Sequence, residues 1–101
     1  MFDKYFLKRK LNKFILNNNE FDFNEVCKSI KPKDIYDLVY IIADYVNTNK
    51  LIQFVKVKSP LSNEVYYFKS ILDVTNSIFD NNKKEYFCVL PEDCVVMYKK
   101  P

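Results

Sequence analysis

The chain has 101 residues, of which 49% are apolar, 17% are aromatic, 16 are basic and 13 are acidic, giving a net charge of +3. This length and apolar content predict a single domain over 1–101 and exclude a wholly disordered chain. The chain contains no histidine and no glycine. These absences exclude histidine-based catalysis, histidine-ligated metal sites and glycine-rich phosphate loops. We therefore expect no enzyme, no metal and no cofactor.

The sequence also indicates a cellular compartment. No stretch approaches the ~18 apolar residues of a membrane span, and charged residues interrupt the N-terminal segment too early for a signal peptide. The three cysteines, Cys27, Cys88 and Cys94, form no CxxC pair. Cysteines of this number and spacing indicate reduced thiols. We expect a cytoplasmic protein that does not contact a membrane.

Residues 1–49 follow a helical period. In the first predicted helix, Leu7, Leu11 and Ile15 recur at helical spacing. Residues 1–17 carry five basic residues and one acidic residue, a local charge of +4. Three consecutive asparagines then predict the end of this helix, because asparagine favours turns over helix interiors.

Two further helices follow at short spacing. Asp22 and, three residues later, Glu25 form a capping box that predicts the start of the second helix. Pro32 ends that helix and suits the first turn of the third. Apolar residues at i, i+3, i+4, i+7 and i+11 predict the buried face of the third helix. They are Ile35, Leu38, Val39, Ile42 and Val46, and the outer positions are Tyr36, Asp37, Tyr40, Ile41, Asp44 and Tyr45.

Residues 50–101 change to an extended pattern rich in β-branched and aromatic residues. Four strands are predicted, over 51–58, 65–68, 85–90 and 94–99. Ser70 is placed to cap one short helical turn between the second and third of them. The chain is therefore predicted to be α+β, with three N-terminal helices followed by an antiparallel β unit of about four strands.

Three helices followed by a strand, a loop and a strand give the element order of a winged helix-turn-helix. Pro32 opens the third helix after a short turn, and that helix runs directly into a strand at Leu51. In these features the chain resembles the small winged-helix modules of bacterial proteins. Its second half resembles a variant from accessory proteins of bacterial conflict and antiviral systems, in which the wing is enlarged into a zinc-ribbon-like β unit.

The zinc-binding turns of that variant are only partly matched. Ser59 and Ser62 occupy the two cysteine positions of its first turn, and the second turn, at Asp80, has no cysteine. The segment Phe87–Tyr98 fits its closing pattern of a strand, a Pro-Glu-Asp turn and a final strand. The resemblance therefore implies a zinc-free wing, and we expect the two serines to hold the first turn by local hydrogen bonds.

The outer side of the third helix gives the main functional hypothesis. Residues 33–48 carry one lysine and three aspartates, a net charge of −2 that would be repelled by DNA phosphates. Tyrosine combines a large rigid ring with a polar tip and is enriched at protein interfaces. The predicted protein-interface residues are Tyr36, Asp37, Tyr40 and Tyr45. The alternative is that these tyrosines complete the core of a small domain.

Basic residues elsewhere keep a second hypothesis open. The candidate contacts to a nucleic-acid backbone are Lys8, Arg9, Lys56, Lys58 and Lys69. Arginine, which most often reads guanine, occurs only once, and this counts against sequence-specific DNA recognition. We favour a non-catalytic adaptor or regulatory subunit that binds a larger protein subunit or a second copy of itself. The resemblance implies an antiviral defence system as its setting. The alternative is a small DNA-binding winged-helix transcriptional regulator.

Overall fold

The computed structural model describes residues 2–101, with side chains from residue 4 onwards. This part of the chain forms three α-helices and six β-strands, which confirms the predicted α+β class. The helices are α1 (Phe2–Asn17), α2 (Phe23–Ile30) and α3 (Ile35–Asn47). The strands are β1 (Glu20–Asp22), β2 (Ile52–Lys58), β3 (Val65–Phe68), β4 (Ser77–Asp80), β5 (Glu85–Cys88) and β6 (Cys94–Lys99). No helix in this part of the chain is both long enough and apolar enough to cross a membrane.

Local hydrogen bonds fix both ends of α2 and the start of α3. Pro32 was predicted to lie in the first turn of the third helix, and this was wrong, because α3 begins at Ile35 after its cap, Asp34. The Asp22 side chain accepts from the backbone N–H of Glu25 at 2.8 Å and caps α2. Asp34 caps α3 in the same way, accepting from the N–H of Tyr36 at 2.9 Å. Lys31 ends α2 with φ at 54°, a left-handed conformation that glycine adopts more easily.

The described chain divides into two compact units. The first extends to Ile52 and includes Tyr98–Pro101, and the second is Gln53–Met97. Each unit has a hydrophobic core of its own. The single domain predicted over 1–101 stays a prediction.

The first core packs the three helices together. Its buried side chains come mainly from the helices and include Leu7, Leu11, Phe21, Val26, Ile30, Leu38, Ile41, Ile42, Tyr45 and Leu51. The buried face of α3 is therefore Leu38, Ile41, Ile42 and Tyr45, which also recur at i, i+3, i+4 and i+7. The predicted face was wrong in part, because Ile35 and Val39 are exposed while Ile41 is buried. Leu38 and Ile42 are in the core as predicted.

The second core lies on one face of the β2–β3 hairpin. These two strands are antiparallel, with Val55 opposite Phe68 and Val57 opposite Tyr66. β4 and β5 form a separate antiparallel pair that contributes Ile78 and Phe87. The other sheet has the strand order β1-β6-β2-β3.

The structure adds two strands to the four predicted. β1 contains only three residues and directly precedes α2. β4 lies in a segment for which no strand was predicted, and it pairs with β5 across the turn that follows Asp80. Ser70 caps a short 3-10 turn as predicted, since its side chain accepts from the N–H of Leu72 at 3.1 Å.

Candidate functional site

The outward side of α3 is apolar and aromatic. Tyr36 and Tyr40 lie one helical turn apart and are 67% and 69% exposed. Ile35 and Val39, also one turn apart, stand beside them and are exposed as well. Residues four apart are neighbours on a helix surface, so these four side chains form one continuous patch. We call it the α3 patch.

Carboxylates lie along one edge of the α3 patch. Asp44 follows Tyr40 by four residues and is exposed, and Asp37 is half-buried on the same side of the helix. The Asp34 side chain is engaged in capping the N-terminus of α3. The α3 patch is thus an apolar surface with a negative rim. Such a surface complements an apolar site with basic residues around it.

Tyr45 does not belong to this surface, which corrects its predicted interface role. It is 4% exposed, and its hydroxyl donates to Oδ1 of Asn12 on α1 at 2.6 Å. Burial raises the pKa of Tyr45, and so does the nearby Asp44 carboxylate, whereas the hydrogen bond to Asn12 opposes them. Nζ of Lys50 lies 5.1 Å from the ring centroid, within cation–π range. Tyr45 therefore joins α1 to α3 inside the first unit.

The five predicted nucleic-acid contacts lie in two separate groups. Lys8 and Arg9 are exposed on α1 in the first unit. Lys56 and Lys58 lie on β2, and Lys69 follows β3, all three in the second unit. The β2–β3 register places Lys56 directly opposite Tyr67. The structure thus brings Lys56, Lys58 and Lys69 to one hairpin.

Ser59 and Ser62, the serines expected to hold the first turn, converge on one carboxylate. Asp80 is fully buried and accepts hydrogen bonds from the hydroxyls of Ser59 and Ser62, the latter at 2.5 Å. It also accepts from the backbone N–H groups of Asn82 and Lys83 at 2.9 and 3.0 Å. Asp80 therefore links the turn that contains Ser59 and Ser62 to the turn that contains Asn82 and Lys83.

The electrostatics of this cluster keep Asp80 ionised. Burial by itself raises the pKa of a carboxyl group, but the four hydrogen bonds outweigh burial and hold the Asp80 pKa at about 2. Ser59 also makes the predicted local bond, accepting from the N–H of Leu61 at 3.1 Å. Sequence reasoning missed Asp80 as the centre of the cluster. The sequence offers no local signal for it, because Ser59 and Ser62 lie 21 and 18 residues away from Asp80.

The three cysteines belong to no metal-ligating group in the described residues. Cys27, Cys88 and Cys94 are free thiols. Burial raises the pKa of Cys27, and burial together with the Asp93 carboxylate raises that of Cys94, so both thiols stay protonated at neutral pH. Within residues 4–101, no three side chains of Cys, Asp or Glu are grouped so that they could hold a metal ion.

No family model matches the chain, and neither a curated protein nor a solved structure matches it.

Proposed function

We propose that the chain is a winged-helix protein whose wing is enlarged. Two features support this proposal beyond the order of the three helices. β1 lies between α1 and α2, and β6 returns from the C-terminal half to lie between β1 and β2. In this interpretation β2 and β6 are the two wing strands. The intervening β3, β4 and β5 are the enlargement, stabilised at Asp80 by hydrogen bonds in place of zinc.

Its proposed function is that of a non-catalytic adaptor or regulatory subunit, working in the cytoplasm. The observation that carries this proposal is the α3 patch, where Tyr36 and Tyr40 are each about two-thirds exposed beside two exposed aliphatic residues. Exposed aromatic clusters at helix spacing are typical of helix-in-groove recognition. The half-buried thiols of Cys27 and Cys94, whose pKa values are raised, favour a role without nucleophilic catalysis.

The partner that fits the α3 patch is a protein subunit with an apolar groove edged by lysine or arginine. Asp37 and Asp44 would pair with that basic edge, while Tyr40 would enter the groove as a buried anchor. A larger subunit of a bacterial assembly meets this description. The resemblance of the second half of the chain favours an antiviral defence system as that assembly.

The alternative, a small DNA-binding regulator, finds support in the exposed basic residues. Lys8 and Arg9 on α1, together with the hairpin lysines, could contact phosphates. In a winged helix that reads DNA, however, the third helix enters the major groove. Here that helix offers aromatic, aliphatic and acidic side chains, which neither neutralise phosphates nor match the usual base contacts.

Two experiments separate these functions. In calorimetric titration with duplex DNA, the adaptor predicts no measurable binding at physiological salt. The regulator function predicts binding that persists at physiological salt and weakens steeply as the salt concentration increases.

A photo-cross-linking amino acid at position 40, with position 5 as control, then tests the α3 patch in native cells. Position 5 also holds an exposed helical tyrosine, Tyr5. One protein cross-linked from position 40 and not from position 5 would support the adaptor, and equal cross-linking from both would contradict it.

A further inference from the structure

The outer face of the β2–β3 hairpin is basic. Side chains alternate between the two faces of a strand. Val55 and Val57 are buried in the second core, so Lys56 and Lys58 project from the opposite face. Lys58 is exposed and Lys56 is half-buried. Lys69, the residue directly after β3, is exposed as well.

An exposed tyrosine stands among these lysines. Tyr66 and Phe68 pack against the second core, so Tyr67 between them projects to the outer face, directly opposite Lys56. Tyr67 is 62% exposed, and its ring centroid lies 6.1 Å from that of buried Phe54. That contact restrains the ring while most of it stays in solvent.

The charge on this face has one sign. β2 and β3 contain no aspartate or glutamate. The residue before β3 is Glu64, whose carboxylate accepts a hydrogen bond from the Tyr66 hydroxyl at 2.9 Å. Tyr66 belongs to the core side of the hairpin, so this carboxylate is held away from the outer lysines. Lys56, Lys58, Lys69 and Tyr67 together are the basic face.

We propose that the basic face binds single-stranded nucleic acid. The three lysines contact backbone phosphates, and the Tyr67 ring stacks on one unpaired base. An aromatic ring on an open strand can stack on the base of a single strand, whereas a duplex encloses its bases and presents only their edges. Lysine acts on phosphate as a point charge and lacks the planar fork with which arginine pairs bidentately. Binding is therefore independent of sequence.

This site uses none of the residues of the α3 patch. It also does not depend on the adaptor function, and the test distinguishes the two. The Tyr40→Ala variant, which is designed to impair the α3 patch, should bind single strands as the wild type does.

The test is fluorescence anisotropy of the full chain with a labelled oligothymidine of about 12 nucleotides, within the site size of small β folds. A blunt duplex of the same length is the comparison. We expect the single strand to bind more tightly than the duplex. The slope of log K against log[salt] should be about −2, from three lysines at ~0.7 per phosphate on a single strand.

Variants separate stacking from charge. Tyr67→Ala should weaken single-strand binding by about 5- to 150-fold, the loss expected for one stacked base, and leave the salt slope unchanged. Tyr67→Phe should bind as the wild type does. Lys56→Gln with Lys58→Gln should reduce the salt slope by about 1.4. The matched control is Tyr86→Ala, because Tyr86 is also a strand tyrosine, 71% exposed and packed on a phenylalanine.

Three results would overturn the proposal. The first is equal or tighter binding of the duplex. The second is unchanged single-strand affinity in Tyr67→Ala, or an equal loss in Tyr86→Ala. The third is binding to phosphatidylserine vesicles without binding to the oligothymidine, which would assign the lysines to an anionic lipid surface.

Discussion

Replacing Leu38 with alanine tests which face of α3 packs in the first core. Leu38 is fully buried, whereas its neighbour Val39 is 43% exposed. Leu38→Ala removes three carbon groups, worth about 2.4 kcal/mol of transfer free energy at ~0.8 kcal/mol each. The cavity left behind raises the expected loss to about 3–4 kcal/mol, within the range measured for buried leucines. That is a large part of the 5–15 kcal/mol that typically stabilises a domain.

Val39→Ala is the matched control on the same helix. It removes two methyl groups from a residue that is already 43% exposed to water. The resulting loss of about 0.8 kcal/mol is largely offset by the higher helix propensity of alanine, worth about 0.5 kcal/mol. The Val39 variant should therefore be almost as stable as the wild type.

The assay is urea unfolding monitored by far-UV circular dichroism, which reports on the helices. We expect a large fall in the urea midpoint for Leu38→Ala and almost none for Val39→Ala, with similar m-values. Equal destabilisation by the two substitutions would refute the helix orientation described here. It would favour the face predicted from the sequence, in which Val39 also packs in the core.

Three further changes have expected outcomes in the same kind of assay. Tyr45→Phe removes the hydroxyl bonded to Asn12 and should lower the unfolding free energy by about 0.5–1.5 kcal/mol, and no change would mean that this bond is not formed in solution. Lys31→Gly should raise the unfolding free energy by about 1 kcal/mol, because glycine adopts the left-handed conformation without steric cost; a lower midpoint would contradict this. The Asp80 pKa is lowered to about 2, so its stabilisation is complete above about pH 4 and is lost as the pH falls toward 2. Asp80→Asn should be less stable than the wild type at neutral pH and should lose less stability than the wild type over that acid interval. Parallel acid-unfolding curves for the variant and the wild type would contradict this.

The sequence predicted the features that depend on local interactions. The start of α2 follows from Asp22, whose side chain bonds a backbone N–H three residues away. The end of α1 follows from the asparagine run, since Asn18 bonds the carbonyl of Phe14 within the same turn of helix at 2.9 Å. Such contacts join residues close in sequence, so residue type and spacing are enough to predict them.

The sequence did not predict features that depend on distant partners. α3 carries apolar or aromatic residues beyond the predicted face, and packing in the first core buries Ile41 and Tyr45 while it leaves Ile35 and Val39 exposed. β1 contains three residues and is a strand because β6, more than seventy residues later, lies beside it. Tyr45 was assigned to the surface because its partner, Asn12, lies on another helix.

The same contrast between local and distant contacts explains which residues of the candidate site were predicted. Tyr36 and Tyr40 were predicted together because residues four apart share a helix face, and the structure leaves both exposed. Asp80 was missed as a centre because Ser59 and Ser62 are 21 and 18 residues away from it in the sequence. Tyr67 was missed among the hairpin lysines because only the strand register places it opposite Lys56.

The most direct test of the adaptor function is a quantitative pull-down from native lysate, comparing the wild type with two variants. Tyr40→Ala removes the central ring of the α3 patch, and Lys56→Glu with Lys58→Glu reverses the charge of the basic face. A protein partner retained by the wild type should be lost from Tyr40→Ala, at a cost of about 2 kcal/mol or more for a buried anchor, and kept by the lysine variant. Loss of that partner only in the lysine variant would contradict the account.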